Sequence, residues 1–274
     1  LEAEVNDQTE RKPERKDSQG ELSCVGVGMC LGAHISPVSQ SFIEKADVCF
    51  VAVSDRLVEE WVFSMNSNCV SLQGFYQQGK SRNQTYADMI KEILAAVESG
   101  KKVCGVFYGH PGVFAYVPHE VIKRAKLSGY PTHMEPGISA EDCLYADLAI
   151  DPGRFGCQHF EASQFMLYHR NVDVGAHLVL WQVGVAGDMS LANFETSERL
   201  LGELVKVLAK DYPLTHQAII YEARTTILDE VRRDEILLCE LPYQKLNTYS
   251  TLVIPPAKPL KRNERNWQLL HSLQ

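Results

Sequence analysis

Between Leu22 and Phe107, short β-rich apolar runs alternate with helix-patterned segments. This alternation restricts the fold more than any other feature, to a mainly parallel sheet covered by helices. Leu22 to Val27 reads as a strand followed by a glycine-containing loop. Ser36-Pro37 then sets a cap and a first-turn proline at the head of a helix toward Ala46. Val48 to Val53 is a second strand. Thr85 precedes Asp88 at capping-box spacing, and Met89, Ile90, Ile93, Leu94 and Val97 fall on one helical face until Gly100 stops it. Val103 to Phe107 follows as a buried strand.

After Gly129 the pattern changes. A helix from Ala140 to about Leu148 is capped by Ser139, and Asp151-Pro152-Gly153 marks a break. His177 to Val183, Gln217 to Tyr221, Glu235 to Cys239 and Ser250 to Ile254 look like strands, separated by one long helix, Ser197 to about Lys210. That pattern predicts a mixed or antiparallel sheet. The expected organisation is a charged mobile arm over 1–21, an α/β lobe over 22–133, a second α/β lobe with a mixed sheet over 134–256, and a basic, Trp-containing tail over 257–274.

The formal charge of −8, from 27 Lys+Arg against 35 Asp+Glu, argues against nucleic acid as the main partner. The eight cysteines form no C-x-x-C pair, and several lie in apolar runs. They read as reduced core residues of a cytoplasmic protein. His and Cys do not cluster at ligand spacing, so no metal is expected. No stretch approaches a membrane span, so no membrane partner is expected either.

Four segments carry polar groups suited to chemistry. Tyr108-Gly-His-Pro-Gly-Val-Phe114 directly follows the apolar strand ending at Phe107, where open α/β sheets hold small ligands; an ordinary Gly/Pro turn reads equally well. Gly26-Val27-Gly28, with Gly32 one position late for a dinucleotide motif, reads better as a close backbone turn. The polar segment 74–86 holds Tyr76, Arg82 and Tyr86: a guanidinium stabilises charge developing on a carbonyl oxygen, and phenols donate hydrogen bonds or exchange protons. A solvated loop is the alternative there. Glu135-Pro-Gly-Ile-Ser-Ala140 places a tight turn before a helix amino terminus, and Gln182, Ser250 and Thr251 add polar groups at strand ends.

Taken together, Tyr108-Gly-His-Pro-Gly-Val-Phe114, Glu135-Pro-Gly-Ile-Ser-Ala-Glu-Asp142, Trp181-Gln-Val-Gly184 and Ser250-Thr-Leu-Val-Ile-Pro-Pro256 resemble the tetrapyrrole methylase superfamily of S-adenosylmethionine (SAM) enzymes. Tyr76, Lys80-Ser-Arg82 with Tyr86, and Phe160-Glu-Ala-Ser163 make the chain more closely similar to the borosin peptide α-N-methyltransferases of the omphalotin type. That resemblance implies a two-lobed α/β fold with bent SAM in the cleft between lobes, an S-adenosylhomocysteine (SAH) product, and a homodimer. It implies that Tyr108, His110, Val113, Phe114, Ser139, Ala140, Gln182, Tyr221, Ala223, Ser250 and Thr251 bind the cofactor. Tyr76, Arg82, Tyr86 and Tyr108 would form the catalytic group. Two features depart from the family pattern. His110 stands where tetrapyrrole methylases usually carry an acidic residue. The chain also stops at Gln274 without the apolar core peptide of fused borosins, so the expectation is action in trans on a separate borosin precursor peptide. Other readings are a tetrapyrrole or other small-molecule methyltransferase and an idle peptide-binding scaffold.

Overall fold

The central strands of the first sheet are apolar on both faces, as a parallel sheet between two helix layers demands. The structure is a computed structural model that describes residues 20–53, 55–77, 79–189 and 195–274; the expected charged arm lies outside them up to residue 19. The chain divides into two units, the first ending at Ser139 and the second spanning Ala140–Gln274. The first unit continues past residue 133 because the Glu135 N–H still donates to the Cys24 carbonyl at 2.9 Å.

The first unit runs β1 (Glu21–Gly26), α1 (Pro37–Lys45), β2 (Val48–Ala52), α2 (Arg56–Phe63), β3 (Cys69–Ser71), α3 (Arg82–Glu98), β4 (Lys102–Phe107), α4 (Tyr116–Leu127) and β5 (Thr132–Met134). Its five strands pair in the order β3-β2-β4-β1-β5, all parallel. On one face Leu22, Cys24, Phe50, Val103 and Phe107 meet Met89, Ile90 and Ile93 of α3 and Val117 and Val121 of α4. On the other, Val25, Val51 and Val106 meet Ile43 of α1 and Val58 and Val62 of α2. Cys49, Cys69 and Cys104 stand in register across neighbouring strands. Hydrogen bonding with Cys104, together with burial, pushes the Cys49 thiol up to about 12, so it stays protonated and unreactive.

Sequence and structure agree on α1, whose Ser36 hydroxyl accepts from the Ser39 N–H. They differ at α3. Its cap is Ser81, which accepts from the Gln84 N–H, and Thr85 is a buried residue inside the helix whose hydroxyl donates to the Phe75 carbonyl. Asp88 instead pairs with Lys80 at 2.7 Å. The helix therefore starts earlier than the spacing predicts, and Arg82 and Tyr86 belong to its first turns.

The second unit contains α5 (Ala140–Leu148), α6 (Pro152–Phe155), β6 (Cys157–Glu161), α7 (Ala162–Leu167), β7 (His177–Trp181), α8 (Glu198–Leu208), β8 (Gln217–Glu222), β9 (Arg232–Leu237), β10 (Thr251–Ile254) and α9 (Glu264–Ser272). The sheet order is β6-β7-β10-β8-β9, parallel between β6 and β7 and antiparallel elsewhere, the mixed sheet that the pattern predicts. Leu201, Leu204, Val205 and Leu208 of α8 cover one face, and Leu144 and Leu148 of α5 cover the other. Each such fully buried side chain stabilises by about 1.5–3 kcal/mol.

Two strand readings need correction, and β3, β5 and β6 lie outside the expected pattern altogether. Strand β7 stops at Trp181 because Gln182 turns to φ 58°, and Val183–Val185 is a single 3-10 turn. Strand β9 lies earlier than the expected Glu235 to Cys239: its charged residues sit on an exposed edge strand, where Arg232 pairs with Glu222 of β8 at 2.8 Å. Strand β6 is polar in sequence. Among the described residues no helix is long and apolar enough to cross a membrane. None of their His, Cys, Asp and Glu side chains form a group able to hold a metal ion.

Candidate active site

In the first unit the candidate residues gather at the carboxyl ends of the parallel strands. Beyond β1 and β4 the backbones of Gly28 and Gly109 exchange hydrogen bonds of 3.2 and 2.9 Å. A Cβ on Gly26 would fall 2.1 Å from the Gly109 carbonyl oxygen, and one on Gly137 would fall 2.5 Å from it. The Gly26-Val-Gly28 pair thus serves a close backbone approach, the reading its spacing favours. Beyond this approach the Tyr108–Phe114 loop buries Gly109 and Pro111 and leaves the side chains of Tyr108 and Phe114 exposed. Inside that loop the Gly112 N–H donates to His110 Nδ1 at 2.8 Å, and Val113 N–H to the His110 carbonyl at 3.2 Å. Phe114 adopts φ 48°, a left-handed conformation that costs a non-glycine residue about 1–2 kcal/mol. Such strain persists where surrounding structure demands it, often at ligand sites.

Tyr76, Arg82, Tyr86 and Tyr108 come together here. Tyr76 follows a 3-10 turn, Gln73–Phe75, tied to the end of β2 by Gln73 Nε2 donating to the Val53 carbonyl at 2.7 Å. Lys80 fastens the following segment to α3, its ammonium lying 2.7 Å from Asp88 Oδ2 and 3.2 Å from the Phe75 carbonyl. Arg82 opens α3, and Tyr86 stands one turn on, on the same face. Loss of water raises the Tyr76 phenol well above the usual tyrosine range. The neighbouring phenols of Tyr86 and Tyr108 and a hydrogen bond with Tyr86 add to that rise, while the Arg82 guanidinium opposes it. Tyr108 is raised as well, by burial of its hydroxyl and then by Tyr86. Tyr76 and Tyr108 therefore keep their protons at neutral pH and serve as hydrogen-bond donors.

In the second unit the sheet topology converges the other candidates on one end. Gln182 follows β7, Ser250 precedes β10, and the Val183 N–H donates to the Ser250 carbonyl at 2.9 Å. Thr251 lies opposite Tyr221 in the β10–β8 register, with Ala223 just past the end of β8. Ala140 opens α5 and packs against the cluster containing Tyr221 and Trp181. Gln182 holds φ 58° and ψ 37°, and its carboxamide makes no hydrogen bond among the described residues. The Ser250 hydroxyl, by contrast, donates to Glu222 Oε1 and accepts from the Asn247 N–H. Tyr221 donates to Asp147 Oδ2 at 2.7 Å, and burial followed by that carboxylate raises its phenol. Ser250 and Tyr221 thus shape this sheet end through contacts inside the unit.

Sequence reasoning missed Tyr116, whose ring lies 5.9 Å from that of Tyr86 on the exposed first turn of α4. It also missed Asp147, Glu222 and Asn247, which hold the candidates in place; a lone acidic or amide residue carries no pattern that would reveal it. A hollow of about 460 Å³, lined by Phe42, Lys45, Glu21 and Lys102, opens at the amino ends of β1 and β4, opposite this site.

In the first unit His110 has only Nδ1 bonded among the described residues and stands beside apolar Val113 and Phe114, side chains that suit a ligand with both polar and apolar parts, as SAM has. In the second unit Gln182 carries a carboxamide with no hydrogen bond among the described residues, on a left-handed backbone.

The family model for Tetrapyrrole (Corrin/Porphyrin) Methylases matches residues 21–236. The chain is 37% identical to the methyltransferase/type I borosin cyclic peptide precursor of Coprinopsis marcescibilis, over 93% of this chain and 66% of that protein. It is 38% identical to the methyltransferase/omphalotin A precursor of Omphalotus olearius, over 86% of this chain and 58% of that protein. The chain thus spans roughly three-fifths of the length of such relatives. The fold is similar to the crystal structure of uroporphyrin-III-C-methyltransferase from Thermus thermophilus, with a TM-score of 0.62 at 19% identity, over 86% of this chain and 94% of that one. It is also similar to that of a cobalt precorrin-4 methyltransferase, with a TM-score of 0.58 at 14% identity, over 87% and 95%.

Proposed function

The chain belongs to the tetrapyrrole (corrin/porphyrin) methylases and, among them, to the borosin methyltransferases; from this membership we propose that it methylates backbone amide nitrogens of a borosin precursor peptide. The observation that carries this reading is the surroundings of Tyr76, where two further phenols and a guanidinium meet on an exposed edge of the first unit.

An amide nitrogen shares its lone pair with the carbonyl and is a poor nucleophile. Arg82 and Tyr76 donate hydrogen bonds to the peptide oxygen and favour the imidate-like form, in which charge moves onto that oxygen and the nitrogen becomes reactive. Tyr86 accepts the N–H proton on its oxygen as its own hydroxyl proton leaves toward solvent, so the phenol ends neutral. Tyr108, raised and protonated, adds a donor beside them. His110, Val113, Phe114, Ser139, Ala140, Gln182, Ala223 and Thr251 would hold SAM, with Tyr221 and Ser250 shaping the sheet end, and SAM when bound would supply an electrophilic sulfonium methyl group.

The test is incubation with SAM and a precursor peptide with an apolar, Val/Ile-rich end, followed by tandem mass spectrometry. Methyl groups on backbone nitrogens of the added peptide are expected, consistent with action in trans. Methylation of a porphyrinoid and never of peptide, or SAH binding without turnover, would overturn the proposal. The implied homodimer belongs to the same reading, and sedimentation equilibrium measures it.

A further inference from the structure

One polar cluster of the second unit has no part in that chemistry. Glu141 and Tyr145 on α5, His159 on β6 and Trp181 on β7 form a single hydrogen-bonded chain. Trp181 Nε1 donates to His159 Nδ1 at 3.1 Å. An indole nitrogen only donates, so Nδ1 accepts and the neutral ring carries its proton on Nε2. Nε2 lies 2.8 Å from the Tyr145 hydroxyl, which donates in turn to Glu141 Oε1 at 2.8 Å. Every donor therefore points the same way, from indole through imidazole and phenol to carboxylate. The His159 and Trp181 rings stack with 5.9 Å between centroids and 16° between planes, and Tyr145 meets His159 edge-on. Burial lowers His159 below the usual histidine range against the opposing pull of Glu141. Burial, and then the bond to Glu141, raises the Tyr145 phenol. Both rings are neutral at physiological pH.

The ends of this chain lie at functional positions. Glu141 follows Ala140 in the first turn of α5, and Trp181 immediately precedes the strained Gln182. The surrounding core of Leu144, Leu148, Val179 and Val253 is apolar, so packing alone does not require a polar chain here. A satisfied buried network fixes orientation more than it adds stability.

We propose that Glu141, Tyr145, His159 and Trp181 are positioning residues that set the first turn of α5 and the β7–Gln182 junction in the geometry that receives the cofactor, with His159 as the joint between them. This rests on the assignment of Ala140 and Gln182 to the cofactor.

The variants Trp181→Phe and Tyr145→Phe each remove one link and keep an aromatic ring; Tyr145→Phe is the milder of the two. In titration calorimetry each should weaken SAH binding about tenfold, and the double variant should fall little further, because the links act as one chain. A second readout needs no ligand. Protonation would turn Nδ1 into a donor facing the indole donor, with Glu141 and Tyr145 of α5, Cys157 of β6 and Trp181 as the groups around the ring. Wild-type indole fluorescence should therefore show a transition below the ordinary histidine range that His159→Phe abolishes. Wild-type SAH affinity should fall through the same window, and that of Trp181→Phe should stay flat. Folded variants that bind SAH as tightly as wild type would overturn the inference while the proposed function stands. So would a Trp181→Phe pH profile identical to the wild-type one. A wild-type protein that binds no SAH at any pH sinks both.

Discussion

The two sheets present their candidate residues in opposite ways. In the first unit Tyr76 is 38% exposed, Tyr108 50%, Phe114 48% and Tyr116 57%, whereas in the second Tyr221 is 1% exposed, Ser250 0% and Thr251 2%. In the parallel sheet the loops after β1 and β4 touch through glycine backbone, at Gly28 and Gly109, and the side chains of Tyr108 and Phe114 stay about half exposed. The antiparallel pairs β7–β10 and β10–β8 instead bring strand ends into mutual hydrogen bonding, and their polar side chains are taken up by neighbours. The difference is one of display against enclosure: the first unit presents phenols at its surface, and the second engages the hydroxyls of Tyr221 and Ser250 in its own contacts; under the proposed function the first would act on the substrate and the second would hold the cofactor.

On that division the largest effect should come from the display side. Arg82→Ala should lower turnover on peptide by about 10²–10³-fold, the scale of a lost oxyanion donor, with SAH affinity nearly unchanged. Steady-state kinetics beside calorimetry checks this, and equal activity would remove the proposed chemistry. Gln182→Gly tests the holding side. Glycine relieves the left-handed backbone, so denaturant melts should show stability kept or raised by up to about 1 kcal/mol, while SAH affinity falls about tenfold. A variant that loses stability instead would make Gln182 an ordinary turn residue.

Smaller consequences follow. Tyr221→Phe removes the bond to Asp147 and should cost about 0.5–1.5 kcal/mol in urea unfolding, with turnover little affected. The raised phenol of Tyr221 also sets a pH limb. Above about pH 10 the unfolded chain releases tyrosine protons that the folded chain retains, so stability that is fully present below that pH declines as pH rises further. Tyr221→Phe should flatten that decline in thermal melts. Least of all, Lys80→Ala frees the Tyr76 segment from α3 and should reduce turnover about threefold without changing SAH affinity, since one partly exposed pair anchors it.

Much of the fold was legible where local preference and burial coincide. Ser36-Pro37 starts α1, Gly100 follows α3 with φ 89°, and β1, β2 and β4 are apolar on both faces. Legibility failed where two local signals competed. Ser81 and Thr85 both fit a cap, and only the packing of Thr85 under the Phe75 carbonyl decides between them. It failed again at β6, whose Gln158 and His159 look unlike a strand until the parallel partner β7 supplies the ladder. At the site, the residue types for an oxygen-stabilising and proton-moving cluster were visible in 76–86 and 108–114. The left-handed turn of Gln182 was not, because glutamine has no preference for it.

By itself the sequence determined the alternation that forces a parallel sheet, the glycines that let two loops touch, and the presence of an arginine with several phenols. Tertiary structure decided which of those groups face outward. The reason is that hydrogen-bond partners come from distant segments: Asp147 stands 74 positions from Tyr221, and Glu222 stands 28 from Ser250. No local pattern records that a hydroxyl already has a partner until the strands that carry both have paired.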